Sequence, residues 1–405
     1  MKNILVAADE FHPYSNANTI CLDRILDAFV RNGFDVTVLC FAYDKALPLR
    51  EERRGCHVRR MFVSFDWAEK ILQNKILHSG NPIASKLFMY LSRLEYLYGR
   101  ALKTLRLLRL YRSLRRDKSF DLLLSGLCPI ASHRLAYSIA RRSKIPWIMY
   151  NMDSYVFNCG SMRTVGRRKR TEQKWCGKAA AVVNTIGLSA HNAQNGYFPY
   201  RGLPQLEIPL PNLEIGDPIA PDPVHTDADK IVLRYMGSFH EDVRRPDTLM
   251  QFLNKLDAGA FSVEFYGGCC GYVQKKYATL PACLSLMGNT TVERCRELTR
   301  TADILINIGN DCTNQMPSKV FEYIASGKPI LNFYTRGDEP GLQYLRRYPR
   351  ILHLRNADDA DADALRALPS TPEVTAEELR GIYKDVLSET VCDQVVRFAE
   401  KVVGT

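Results

Sequence analysis

The opening stretch "MKNILVAADEFHPYSNANTICLDRILDAFVRNGFDVTVLC" (residues 1–40) contains the repeating unit that decides the fold. Two short apolar runs within it have the length of β-strands, and a helix-length segment lies between them. The same alternation recurs along the chain, in DLLLSG, WIMYNM and AAVVNT and later in IVLRYMG, SVEFYGG, LSLMGN, ILINIG and PILNFY. Alternating strand and helix patterns are typical of parallel, doubly wound sheets. The sequence therefore predicts an α/β fold.

A break in this series divides the chain into two domains. The segment "LPQLEIPLPNLEIGDPIAPDPVHTDADK" (203–230) is rich in proline and acidic residues, as linkers are. We expect two Rossmann-like domains that face each other across a cleft, where α/β folds generally bind ligands. The expected parts are a first domain at 1–205, a linker at 206–230, a second domain at 231–374 and a C-terminal helix at 375–405. That helix either caps the second domain or crosses back to the first.

Composition supports a folded two-domain protein. The chain has 405 residues, which is too long for one comfortable core, and it is 46% hydrophobic and 24% charged. Its twelve cysteines include no C-x-x-C motif, so we expect reduced thiols in a cytosolic protein. Asp9 interrupts the first apolar run, which indicates a strand and not a signal peptide. No run approaches the roughly 18 apolar residues of a membrane-spanning helix.

Positive charge is concentrated in the first half of the chain. The net charge is +11, and the segment 86–118 alone holds ten basic residues against two acidic ones. Its apolar residues recur at three- and four-residue steps, at Leu87, Leu91, Leu94, Leu97, Ala101, Leu105 and Leu108. This pattern predicts a basic amphipathic helix, which suits an anionic membrane surface or an acidic acceptor, although a core-packed helix with a solvated basic face fits equally well. A second basic run lies at 163–174. No nucleic-acid motif accompanies these charges, and we expect no nucleic-acid partner.

The stretch "NQMPSKVFEYIASGKPIL" (314–331) predicts a short helix before a buried strand. Pro317 suits its first turn, and Gly327 followed by Lys328-Pro329 supplies its end. The side chains that should face the core are Val320, Phe321 and Ile324. The polar side chains left on the other face are Ser318, Lys319 and Glu322. A helix N-terminus favours an anion, but a solvated i,i+3 Lys–Glu pair would look the same.

Three stretches together resemble the family-four glycosyltransferases, which have the two-domain GT-B fold. They are residues 1–40, "YMGSFHEDVRRPDTLMQFL" (235–253) and the helix stretch 314–331, and they occur in the family's order over nearly the full length. The resemblance implies retaining, metal-independent transfer of a sugar, of hexosyltransferase type, from a nucleoside-diphosphate sugar to an acceptor hydroxyl. With the basic helix, it favours an acceptor among lipid-linked or cell-surface polysaccharide precursors, such as those of capsule or lipopolysaccharide. The expected location is the cytoplasm, peripherally at the inner face of the membrane.

The donor side needs positive charge, because negative charge builds on the diphosphate as the glycosidic bond breaks. Arg244 and Lys319 are the candidate catalytic cations, and Arg245 is the close alternative to Arg244. Glu322 suits a carboxylate that accepts hydrogen bonds from ribose hydroxyls, and Ser318 suits a phosphate contact. Two glycine turns could admit the nucleotide close to the backbone, although tight βα turns explain them equally well; they contain Gly237 and Gly267.

The sequence departs from the family in two places. The family's usual motif has two glutamates separated by seven residues, and here Asn314 replaces the first. Asn314 can hydrogen-bond a donor sugar but brings no charge to the transition state. The first loop lacks the usual glycine pair and offers Ser15, Asn16 and Asn18 to an acceptor or phosphate instead.

Two further residues are candidates on the acceptor side. Asp153 follows a strand and suits an acceptor-orienting or base-like role, although capping the next helix is the plain alternative. His133 heads a helix and could reach a phosphate or hydroxyl, but a histidine near a helix start is more often structural. A side-chain base is not required if the leaving phosphate takes the acceptor proton, as proposed for retaining enzymes of this fold.

Two other functions remain open from the sequence. A nucleotide-sugar epimerase can share the architecture but would need acid and base groups clustered around the sugar. A non-catalytic, donor-binding partner is suggested by Asn314. Retention of Arg244, Lys319 and Glu322 together argues against such a partner, because a protein without turnover has no need for a diphosphate site.

Overall fold

The computed structural model describes most of the chain. The described residues are 2–14, 16–62, 100–127, 131–157, 164–216, 230–241, 243–357 and 362–404. Ser15 and the first part of the predicted basic helix, residues 86–99, lie outside them.

The first domain is built on an eight-stranded sheet with the order β3-β4-β2-β1-β5-β6-β7-β8. All neighbouring strands are parallel except β3 and β4. The strands are β1 Asn3–Ala7, β2 Asp35–Ala42, β3 Arg50–Arg53, β4 Cys56–Phe62, β5 Leu122–Leu127, β6 Trp147–Asn151, β7 Ala181–Thr185 and β8 Gln205–Ile208. The order reverses between β1 and β5, which is the kind of switch point where α/β folds open a crevice.

The described helices of the first domain connect these strands. They are α1 Ala17–Arg31, α2 Arg100–Asp117, α3 Ala131–Ala140, α4 Val165–Cys176 and α5 Leu188–Gln194. Asn16 caps α1, because its Oδ1 accepts the N–H groups of Asn18 and Thr19 while the Thr19 hydroxyl accepts the Asn16 N–H. One face of α1 is buried against the sheet.

The second domain has a six-stranded, fully parallel sheet with the order β11-β10-β9-β12-β13-β14. This order confirms the predicted pair of doubly wound parallel sheets. The strands are β9 Ile231–Met236, β10 Phe261–Tyr266, β11 Leu284–Gly288, β12 Ile304–Ile308, β13 Ile330–Phe333 and β14 Ile351–Leu354. The described helices are α6 Asp247–Leu253, α7 Cys269–Lys276, α8 Val292–Arg300, α9 Lys319–Ala325, α10 Leu342–Leu345, α11 Ala362–Ala367, α12 Ala376–Ile382 and α13 Ser388–Gly404.

The segment expected as a linker contains a strand of the first sheet. β8 occupies 205–208 and pairs in parallel with β7, so the boundary expected at residue 205 falls within a strand. Pro204 and Pro209 flank β8, and prolines are tolerated at strand ends because the missing N–H lies outside the ladder. Beyond it, Leu210 and Leu213 are buried in the core. Two of the prolines that suggested a linker therefore mark the ends of an edge strand, and the rest of the expected linker, residues 217–229, lies outside the described residues.

The C-terminal helix α13 packs against α1 of the first domain. Val391, Cys392 and Val395 of α13 belong to the same buried cluster as Cys21 and Ile25 of α1. The chain thus leaves the second domain and returns to the first, and the two domains share core contacts at this point.

The described part of the predicted basic helix is α2, and its buried face differs from the prediction. Leu107, Leu108 and Tyr111 are buried, whereas Leu105, expected in the apolar stripe, is 56% exposed. The outward face carries a row that we call the α2 stripe, consisting of Leu105, Arg109, Arg112 and Arg116. Among the described residues no helix is long and apolar enough to cross a membrane.

Candidate functional site

Two glycine turns meet at the carboxyl ends of β9 and β10. Gly267 has φ of +99°, and a Cβ placed on it would lie 2.8 Å from the carbonyl oxygen of Gly237. The Cys269 N–H donates to that same oxygen over 3.0 Å. A side chain at Gly267 would therefore push the two strand ends apart. Both predicted glycines lie at the carboxyl edge of the second sheet, and their close packing accounts for the glycine at position 267 without a nucleotide.

Arg244 lies at the neighbouring end of β12. Its Nε and Nη2 donate to the Asn310 Oδ1 over 3.1 and 2.7 Å. Asn310 in turn donates to the Gln315 carbonyl over 3.0 Å, so the guanidinium is held against the loop that leads to α9. Because the acceptor is a neutral amide, this contact orients the positive charge without neutralising it.

Arg245, the alternative candidate, has a different environment. Its side chain is 53% exposed, and its Nε lies 3.3 Å from Asp311 Oδ2. The structure thus separates two adjacent arginines into one that is half-buried with a neutral partner and one that is exposed in an ion pair. Arg244 is the better placed of the two to meet an anion in the cleft.

Glu339 is a buried carboxylate beside Arg244 that the sequence interpretation missed. It is 3% exposed, its Oε1 accepts the Gly341 N–H over 3.1 Å, and no described residue donates a hydrogen bond to its Oε2. Burial raises the pKa of Glu339, while nearby backbone N–H groups and the Arg244 charge oppose that rise. Space at this point is tight, because a Cβ on Gly309 would lie 3.4 Å from the Glu339 carboxyl carbon. An acidic residue in the turn "RGDEPGL" was the only sequence signal for it.

The predicted polar face of α9 is present. Lys319 Nζ lies 2.5 Å from Glu322 Oε2, and both side chains remain partly exposed. Ser318 precedes the helix, and its carbonyl oxygen accepts a hydrogen bond from Asn212 Nδ2 over 3.3 Å. A solvated helix face without a ligand site would show the same ion pair. Its partial exposure leaves both charges accessible to a ligand.

Asn314 of the second domain forms a hydrogen bond with the first domain. It is 6% exposed, and its Nδ2 donates over 3.0 Å to the carbonyl oxygen of Phe157 in the first domain. Next to it, the Thr313 hydroxyl lies 2.9 Å from His191 Nδ1. Asn314 Oδ1 is buried and has no hydrogen-bond partner among the described residues. The residue that departs from the family motif therefore takes part in the contact between the domains.

Asp153 follows β6 on the first-domain side. It is half-buried, forms no hydrogen bond within the described part of the chain, and lies near Cys21 and Tyr150. Burial raises its pKa to about 6. Helix capping, the plain alternative, is therefore not seen among the described residues. A carboxyl group with this pKa can exchange a proton near neutral pH.

His133 does not reach the cleft, which corrects the expectation that it contacts an acceptor. Its ring is 0% exposed, with Nδ1 2.8 Å from Ser125 Oγ and Nε2 2.8 Å from Asn151 Oδ1. Trp147 and Trp175 pack edge-on against it. Burial lowers the pKa of His133 to about 4. Both ring nitrogens are satisfied inside the domain, so its role is structural.

The first loop is largely accounted for by local structure. Asn16 caps α1, and its Nδ2 also donates to Glu10 Oε2 over 3.0 Å. Asn18 is half-buried in the first turn of α1. Asp9, which the sequence interpretation did not consider, is buried at the carboxyl end of β1, where its Oδ1 accepts the Tyr43 hydroxyl over 2.7 Å. Across the described ranges no group of three or more His, Cys, Asp or Glu side chains is arranged to hold a metal.

Solved structures resemble this chain over its whole length. No protein-family model and no curated protein matches it. A sucrose-phosphate synthase from Thermosynechococcus elongatus is 15% identical, with a TM-score of 0.65 and 100% of both chains covered. HepE from Anabaena, solved in complex with UDP, is 13% identical, with a TM-score of 0.64, and covers 99% of this chain and 100% of its own. An α,α-trehalose-phosphate synthase (UDP-forming) from Burkholderia vietnamiensis is 12% identical, with a TM-score of 0.59 and the same coverage. At these identities the likeness shows the fold, which is GT-B.

Proposed function

We propose that the protein is a retaining glycosyltransferase of the family-four type that uses a nucleoside-diphosphate sugar. The observation that carries the proposal is the Arg244 guanidinium, which is oriented by a neutral amide at the carboxyl edge of the second sheet. A positive charge held in this way suits the diphosphate leaving group. The structural likeness to HepE, which was solved with UDP, and to a UDP-forming synthase supports this class of donor.

In the proposed reaction the bond between the anomeric carbon and the diphosphate oxygen breaks. The acceptor oxygen bonds to the same face of the sugar, and its proton passes to the leaving phosphate. Arg244 and Lys319 offset the charge that develops on the diphosphate. Glu322 accepts hydrogen bonds from the ribose hydroxyls, which requires its contact with Lys319 to be shared or opened.

The remaining residues would orient the two sugars. Asn314 Oδ1 accepts a donor-sugar hydroxyl, since no described residue donates to it and it lies at the contact between the domains. Asp153 orients the acceptor hydroxyl by accepting its hydrogen bond, and would replace the phosphate as proton acceptor only if the phosphate does not take the proton. Ser318 donates to a phosphate at the start of α9. We propose that no metal or other cofactor takes part.

We further propose a hexose as the transferred sugar and a lipid-linked or cell-surface polysaccharide precursor as the acceptor, reached from the cytoplasmic side. The α2 stripe supports this location, because three outward arginines and an exposed leucine suit an anionic membrane surface. The protein would then associate peripherally with the inner face of the membrane.

A donor panel tests the proposal. The purified protein is incubated with individual nucleoside-diphosphate sugars, with and without EDTA, while the melting temperature and slow donor hydrolysis are followed. We expect one donor to raise the melting temperature and to be hydrolysed at a rate that EDTA leaves unchanged. The first-formed sugar should keep the donor's anomeric configuration, which NMR records directly. Stabilisation without turnover would contradict an enzyme, and conversion of the donor to its epimer would contradict a transferase.

A further inference from the structure

A groove with a volume of about 550 Å³ lies in the first domain, between the C-terminal ends of α2 and α3. Its basic lining residues are Arg115, Arg141, Arg142 and Lys144, and all four are exposed. Phe120 and Ile145 supply apolar surface at the same place. None of the described residues that line the groove carries a carboxylate.

The charges of this groove are largely unpaired. Arg115, Arg141 and Lys144 form no ion pair within the described residues. The nearby Lys118 differs, because its Nζ lies 2.6 Å from Asp35 Oδ1. The acids nearby are the exposed Asp117 and Asp121, which accepts the Asn3 N–H over 2.7 Å. An anion in the groove would therefore meet basic side chains, while the two nearby carboxylates lie outside the described lining.

Helix stability explains only part of this cluster. Cations near helix C-termini are favourable because the last carbonyl groups carry partial negative charge. Arg142 does this directly, since its Nη1 donates to the Ser138 carbonyl over 2.8 Å. The other three cations make no such contact within the described residues, so capping of a helix end does not account for them.

The groove is separate from the candidate active site. It lies at the amino ends of β5 and β6, whereas the cleft residues lie at the carboxyl ends. The five residues of β6 span about 13 Å, so a ligand in the groove is at least that far from Asp153. The groove is continuous with the α2 stripe, because Arg115 lies beside Arg112 and Arg116 on the same helix.

We propose that this groove binds the phosphate monoester head group of an anionic lipid. Arginine forks match phosphate oxygens in pairs, and a doubly charged monoester offers the highest charge for the space. The α2 stripe would rest on the surrounding anionic surface without preference for a head group. This inference rests on the proposed membrane location and is independent of sugar transfer.

Vesicle flotation tests the inference with the full-length protein. Phosphatidylcholine vesicles contain either phosphatidate or phosphatidylserine, adjusted to equal surface charge. The variants are Arg141→Ala/Lys144→Ala in the groove, Arg109→Ala/Arg112→Ala in the stripe, and Lys178→Ala/Arg201→Ala as a control that removes two exposed charges elsewhere in the domain. Inorganic pyrophosphate is titrated as a soluble competitor.

We expect the wild-type protein and the control to prefer phosphatidate vesicles about tenfold. The groove variant should lose this preference yet still bind phosphatidylserine vesicles, whereas the stripe variant should bind both vesicles more weakly. Equal binding of the wild-type protein to both vesicles would overturn the inference. Unchanged preference in the groove variant, or tight pyrophosphate binding in the groove without lipid binding, would also overturn it. If only the stripe variant lost all vesicle binding, the α2 stripe would account for the membrane location by itself. That result would contradict a lipid site in the groove.

Discussion

The polar side chains at the carboxyl edges of the two sheets differ in whether partners inside the protein satisfy them. In the first domain, His133, Asn151 and Tyr200 form a buried chain of hydrogen bonds that ends at the buried Glu172, whose pKa burial raises to about 7. In the second domain, Arg244 and the ion pair on α9 keep charges directed to accessible space. A polar group that is satisfied inside the protein has a structural explanation. A charge that is oriented but not neutralised has none, and it is the better indicator of a ligand site.

The largest effect on kcat is expected at Arg244, and its neighbour Arg245 provides the control. Arg244→Ala should lower kcat by about 10²–10³, because it removes a cation positioned for the leaving group. The matched control Arg245→Ala removes the same charge one residue away and should change kcat less than about threefold, since that side chain is exposed and ion-paired. Steady-state kinetics with the donor identified by the panel measures both. Equal losses in the two variants would remove Arg244 from its proposed role.

The stability of the protein should fall at acid pH because His133 is buried in the hydrogen-bond network of the first domain. The pKa of His133 is lowered to about 4 in the folded protein, so the unfolded chain binds more protons as pH falls below 6.5. Stability that is present above pH 6.5 should therefore be lost towards pH 4, by on the order of 3 kcal/mol. In His133→Gln the melting temperature should fall less steeply over this range. Parallel curves for the two proteins would be inconsistent with a neutral buried imidazole.

The contribution of Asp153 to stability should change with pH in the opposite direction. Its folded pKa is raised to about 6, so its contribution to stability is present at low pH and lost as pH rises through 6. Asp153→Asn should therefore stabilise the protein at pH 7.5 by on the order of 3 kcal/mol while leaving it nearly unchanged at pH 4. Urea unfolding at the two pH values measures this. Destabilisation at pH 7.5 would mean that the carboxylate has a partner, and the contrast with His133 would fail.

The contact between the domains is tested at Asn314. Asn314→Glu removes the hydrogen bond to the Phe157 carbonyl and places a carboxylate against that oxygen, which should cost about 1–3 kcal/mol of stability. Gln315→Glu adds the same charge one residue further and should cost less, because that side chain is half-buried. Thermal unfolding of both variants without ligand gives the comparison. A more stable Asn314→Glu protein would contradict the bridging role.

The smallest effect is expected at Glu339. Glu339→Gln keeps the shape of the side chain but changes the field at Arg244, and it should lower kcat by no more than about tenfold. Asp338→Asn is the matched control, since Asp338 is exposed and bonded to Arg336. In an Arg244→Ala background the Glu339 effect should disappear if it acts through that arginine. Additive losses would indicate that Glu339 acts independently of Arg244.

The fold was largely predictable from the chain. All ten apolar runs that alternate with helical segments are strands, because burial on both faces of a parallel sheet requires continuous apolar sequence. The strands that escaped prediction, β3, β4, β8 and β14, lie at or next to the sheet edges. There one face or one ladder is open to water, so charged residues and flanking prolines replace the apolar signal.

What the sequence determined by itself was local: strands, the α9 helix with its polar face, and the residue types that suit a diphosphate. The tertiary structure alone decided which of these residues have partners. It enclosed His133 between two tryptophans, left Asp153 unpaired, and distinguished Arg244 from Arg245 by the side chains that β12 brings to each. Partners such as Asn310 and Glu339 are distant in sequence from the arginine they face. No periodicity records such a pairing, because it depends on which strand ends the fold brings to a common edge.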